Sequence, residues 1–80
     1  MRSRADIEYW LRSYIAEMTG VPPERISATA TFDRLGLDSA SAVALVGDME
    51  DWLGAEIDPT LPYEHPTIEQ LSAALEKLPV

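Results

Sequence analysis

Residues 35–54, LGLDSASAVALVGDMEDWLG, decide how this chain folds. Asp38 stands where a helix N-cap belongs, its short carboxylate able to accept from an unpaired N–H of the first turn. Behind it Ala42, Leu45, Val46, Met49 and Leu53 recur at helical spacing and form one apolar stripe, while Ser41, Ala44, Asp48 and Asp51 fall on the opposite side. Gly54 ends the pattern, since glycine is the usual residue just past a helix. The stretch predicts a helix over about 39–53.

On the N-terminal side, Ile7, Leu11, Ile15 and Met18 make a second helical stripe, widened by Trp10 and Tyr14. Ser3 with Asp6 fits a capping pattern, and Gly20 followed by Pro22 and Pro23 supplies a stop, so this helix is expected over about 4–19. Residues 20–38 are then a long connection, acceptable only if it is tied down or functional. Phe32, Leu35 and Leu37 are the expected pegs.

On the C-terminal side, Pro59, Pro62 and Pro66 leave room for only a short helix near 61–65, with Tyr63 expected to anchor it in the core. Thr67 and Gln70 read as a capping box, opening a last helix over about 67–78 with Ile68, Leu71, Ala74, Leu75 and Leu78 inward and Pro79 as its stop. Three amphipathic helices and one short one, with no alternating strand pattern, predict an all-α four-helix bundle spanning residues 1–80 as one domain.

Composition removes several classes. Fourteen Asp and Glu against six Lys and Arg give a net charge of −8, with five scattered arginines, so a nucleic-acid partner is not expected. The acidic balance suits partners with basic patches. There is no cysteine, hence no disulfide, thiol nucleophile or cysteine metal site. The longest apolar run, Ala42 to Gly47, is far too short to span a bilayer, and no signal segment is visible, so a cytoplasmic, membrane-free monomer is expected. A core this small leaves little room for an enclosed active site, and function is expected on the surface.

Ser39 places a hydroxyl at the mouth of the best-marked helix. The positive end of the peptide dipole and the unpaired N–H groups there favour an attached phosphate. On local pattern alone, however, Ser39 reads first as a plain helix-start residue beside its cap. His65, the single histidine, lies between Glu64 and Pro66, where a hydrogen-bonding role outweighs catalysis or metal binding for want of partners. Trp52, at the margin of its stripe, reads as a packing residue.

The wider pattern resembles an acyl carrier protein of the kind found as domains in modular polyketide synthases. The likeness runs through FDRLGLDS at 32–39, Ala42, Val43 and Leu45 after it, Gly54, and then residues 57–61, 63–67 and 68–75. It implies that Ser39 carries a 4′-phosphopantetheine arm installed from coenzyme A by a separate Mg²⁺-dependent phosphopantetheinyl transferase, with Gly36, Leu37 and Asp38 as motif residues. The transferase would supply base and metal, so no activating side chain is needed near Ser39. The arm's thiol would hold acyl groups as thioesters for delivery to other enzymes, and the carrier itself would catalyse nothing. Further implied partners are an acyl-loading enzyme, either an acyltransferase or an acyl-adenylate ligase, and a ketosynthase or other synthase domain. The Gly47–Gly54 run is similar to that of carriers loaded by fatty acyl-adenylate ligases.

In this family partners commonly dock on the helix after the serine. Here Ala40, Val43 and Gly47 line the edge beside Ser39, with Asp38, Asp48 and Asp51 around them, a surface suited to transient contact with a basic partner. Solvation of a helix face is the competing reading of the acids. Ala40 departs from the usual Leu or Met, removing about 1–2 kcal/mol of contact from any partner pocket that would take it. Gly47 costs about 1 kcal/mol relative to alanine, explained either by close approach of a partner or by packing against the neighbouring loop. Other classes are a peptidyl or aryl carrier of nonribosomal peptide assembly, a small hydrolase using Ser39 with His65 and an Asp, and an unmodified helical interaction domain. The chain is expected to be either free-standing or cut from a larger synthase.

Overall fold

The computed structural model describes residues 2–77. Helix α1, Arg4–Thr19, starts at a reciprocal capping box: Asp6 N–H donates to Ser3 Oγ at 3.1 Å and Ser3 N–H to an Asp6 carboxylate oxygen at 3.3 Å. Helix α2, Ser39–Leu53, opens on Asp38, whose carboxylate accepts from Ser41 N–H at 2.8 Å. Helix α3 is the single turn Leu61–Glu64, and α4 is Ile68–Glu76, where Thr67 Oγ1 accepts from Gln70 N–H at 3.1 Å. The expected residues Leu78 and Pro79 lie outside the described residues.

α1 packs along α4, and α2 closes the third side of the core. Ile7, Leu11 and Ile15 from α1, Leu45, Val46 and Met49 from α2, and Ile68, Leu71 and Leu75 from α4 are all buried. Each buried side chain of this size contributes about 1.5–3 kcal/mol, so these nine carry most of the hydrophobic stabilisation. Met18 does not join them. It is exposed at 39%, because the stripe of α1 rotates past its neighbours by the last turn.

The 20–38 connection is tied down more thoroughly than its three expected pegs suggest. A 3₁₀ turn at Pro23–Arg25 leads to Ile26, which is buried along with Phe32 and Leu37, while Leu35 is only partly covered. The connection is also stitched to the joint before α4: Thr31 forms an isolated antiparallel bridge with Thr67, Phe32 N–H donates to Pro66 O at 2.8 Å, and Glu69 N–H donates to Ala28 O at 3.0 Å. Beyond α2, Ile57 is buried and its N–H donates to the Glu50 carboxylate at 2.8 Å. These backbone bonds give the connections the partners that a covered chain segment requires.

Candidate functional site

Phe32 and Leu37 both point inward because the chain between them turns sharply. Leu37 N–H donates back to Phe32 O at 3.0 Å and Gly36 N–H to Asp33 O at 3.1 Å. Gly36 has φ +96°, a conformation that a side chain would strain, which is the physical reason for glycine in this motif. With Leu37 anchored, Asp38 and Ser39 emerge at fixed positions on the surface. Asp38 caps α2, and its carboxyl is held below the usual value of 3.8 chiefly by the Ser41 backbone N–H, then by the Ser41 side chain. Ser39 is the first residue of α2 and is exposed.

Ser39 opens onto a cleft of about 390 Å³ between the 31–39 segment and α3. Phe32, Leu37 and Ala42 supply apolar lining on the Ser39 side and Pro62, Tyr63 and Pro66 face them. Tyr63 therefore does not anchor α3 in the core: it is 62% exposed, and Pro62 is buried in its place. A helix of one turn can turn only one side inward, and the proline takes it. His65 is not among the residues lining the cleft; its backbone N–H closes α3 onto Leu61 O at 2.8 Å. Among the described residues no cluster of His, Asp or Glu could hold a metal ion. The neighbouring Asp38 carboxylate is engaged by Ser41 N–H and no hydrogen bond to Ser39 Oγ is made among the described residues, so the hydroxyl is suited to being modified by another protein, and the open, largely apolar cleft has room for a flexible attached group.

Ala40, Val43, Gly47, Asp48 and Asp51 are all exposed on α2. A Cβ built on Gly47 meets nothing within 4 Å, so packing against a neighbouring loop does not explain that glycine. Asp48 is engaged within the molecule, accepting from the Tyr14 phenol of α1 at 2.6 Å. The phenol is pushed up to about 12 by its burial, then by the hydrogen bond and charge of Asp48. Trp52 is half-buried and stacks on Trp10, with ring centroids 5.3 Å apart. Neither Tyr63 beside Ser39 nor the bond between Tyr14 and Asp48 was visible in sequence; the one available signal was that α3 is too short to bury both Pro62 and Tyr63.

No helix among the described residues is long and apolar enough to cross a membrane. The chain is 35% identical over 71 residues to a phenolphthiocerol/phthiocerol polyketide synthase of Mycobacterium tuberculosis, an alignment covering 89% of this chain and only 4% of that protein. Among solved structures it is similar to an acyl carrier protein from Anabaena sp. PCC 7120 with a variant phosphopantetheinylation-site sequence, at 38% identity and a TM-score of 0.91, covering 98% of this chain and 89% of that one. It is also similar to a free-standing peptidyl carrier protein from Acinetobacter baumannii, at 36% identity and a TM-score of 0.84, with 91% of each chain covered. Residues 10–75 match the family model described as phosphopantetheine attachment site. The chain belongs to this family of acyl carrier domains, which bind 4′-phosphopantetheine covalently and are not themselves catalysts.

Proposed function

We propose that Ser39 is the attachment residue and that the chain carries acyl intermediates for polyketide-type assembly. The observation that carries this reading is the exposed Ser39 hydroxyl at the head of α2, opening onto the 390 Å³ cleft inside the family match. Ser39 Oγ would attack the coenzyme A pyrophosphate, forming a phosphodiester as the bond to the adenosine bisphosphate breaks; the hydroxyl proton passes to a base of the transferase. Asp38 fixes the first turn through Ser41, so Ser39 meets the transferase in one geometry. The attached group supplies a thiol that holds acyl cargo as a thioester. Tyr63 and Pro62 offer it an apolar wall within reach of Ser39.

Docking is assigned to the outer edge of α2, where Ala40, Val43 and Gly47 are small and exposed and Asp38, Asp48 and Asp51 surround them. Such an edge favours transient contact with a basic surface, of the transferase first and of acyl-loading and ketosynthase partners later. Incubating the chain with coenzyme A, Mg²⁺ and a broad-range phosphopantetheinyl transferase is expected to add the mass of one arm, and Ser39→Ala is expected to abolish the gain with the helical circular dichroism unchanged. An unchanged mass in the parent chain, or a gain that survives Ser39→Ala, overturns the reading. Loading of the modified chain by an acyltransferase or acyl-adenylate ligase, rather than by an amino-acid-activating enzyme, separates an acyl carrier from a peptidyl one.

A further inference from the structure

Outside the buried core, α1 and α2 meet along a second line of contact. Trp10 and Tyr14 are one turn apart on α1, as are Asp48 and Trp52 on α2. The Trp52 ring stacks on Trp10 at 5.3 Å and 18°, Trp10 stacks on Tyr14 at 5.0 Å and 20°, and the Tyr14 phenol donates to Asp48 Oδ2 at 2.6 Å. The Arg2 guanidinium lies 4.5 Å from the Trp52 ring centroid, at the other end of the ladder. The two indoles thus hold the Tyr14 ring, and its phenol holds the carboxylate.

We propose that Tyr14 is a positioning residue for partner docking: it holds the Asp48 carboxylate in one orientation on the outer edge of α2, with Oδ1 left as a fixed acceptor for a basic group of the incoming transferase. The inference rests on the docking reading of that edge. An exposed aspartate on a helix otherwise samples chiefly two staggered χ1 wells, and confining it to one before the encounter improves association by at most about twofold. A carboxylate has about four lone-pair positions, so the phenol uses one and leaves the rest for the partner. The 2.6 Å length is that of a charge-assisted O–H···O⁻ bond, strong enough to hold an exposed side chain. The phenol stays a donor throughout the neutral range, since even its ordinary value of 10.0 lies well above it. Asp51 lies on the same edge, and no hydrogen bond to its carboxylate is made among the described residues, so it is the natural control.

The test is transferase kinetics with the chain as varied substrate and coenzyme A and Mg²⁺ saturating. Tyr14→Phe keeps the stacked ring and removes only the hydroxyl; it is expected to raise the KM for the chain by up to about twofold with kcat unchanged. Asp48→Asn should raise KM as well, and adding Tyr14→Phe to it should raise it no further, whereas in an Asp51→Asn background Tyr14→Phe should have its full effect. A Tyr14→Phe chain with unaltered KM beside an impaired Asp48→Asn overturns the inference, as does an equal effect of Tyr14→Phe with and without Asp48. If Asp48→Asn leaves KM unchanged, Asp48 drops out of the docking edge and the inference falls with it, while attachment at Ser39, read by mass, stands.

Discussion

On α2, Leu45, Val46 and Met49 are 0, 6 and 1% exposed, while Val43 is 64% exposed and Gly47 has open space where a Cβ would stand. Both sides carry apolar residues, larger on the inner side and mixed with Asp48 and Asp51 on the outer. What separates them is cover: α1, α4 and the pinned connections seal the first side, and nothing among the described residues seals the second. The inner side is closed to change because any lost methyl leaves a cavity, whereas the outer side is free of packing demands. Contacts within the molecule do not explain Gly47 there, and the proposed docking of a partner on that edge would.

The sharpest break of this comparison is a matched truncation. Leu45→Ala is expected to cost about 2–5 kcal/mol, and Val43→Ala under about 0.5 kcal/mol, both read by urea denaturation. Similar costs would mean that the outer side is packed after all. A smaller effect of opposite sign is expected at Gly47: Gly47→Ala should stabilise the chain by about 1 kcal/mol, seen as a higher midpoint, since the new methyl meets no atom. Gly47→Leu should fold equally well yet lower the transferase kcat/KM, and an unchanged value would remove Gly47 from the docking edge.

The weakest effects are in the pH dependence. The Asp38 carboxyl lies below its ordinary value of 3.8 in the folded chain, so its contribution is fully present above that value and disappears as pH falls through the lower folded value. Asp38→Asn keeps a capping side chain without the titration, and its stability should therefore converge on the parent's below pH 3.8. Tyr14 works in the other direction. Its contribution is complete below the ordinary 10.0 and is lost as pH rises from there through about 12. Absorbance titration should show one phenol ionising late, and Tyr14→Phe should remove that step. Asp48→Asn should move it only part of the way back, because burial is the larger cause.

Much of the fold was legible because its signals are local. Ser3 with Asp6 and Asp38 with Ser41 act within three residues, and the stripes of α1, α2 and α4 need only the helical period. Ser39 at the head of α2 belongs to the same legible class. The misread residues all depend on distant parts of the chain. Met18 continues its stripe but outruns the neighbours that cover it, and Tyr63 loses the inward position of α3 to Pro62. Ile26 and Ile57, isolated apolar residues within connections, carry no periodic signal, yet both are buried.

By itself the sequence determined four helical segments in order, a strongly acidic surface and a hydroxyl at a helix mouth, because caps, breakers and periodicity act over a few residues. The tertiary structure alone decided that Tyr63 walls the cleft beside Ser39, that Gly47 faces open space, and that Tyr14 reaches from α1 to hold Asp48. Those outcomes depend on which helix covers which side of another, and that is set by the summed packing of the whole core.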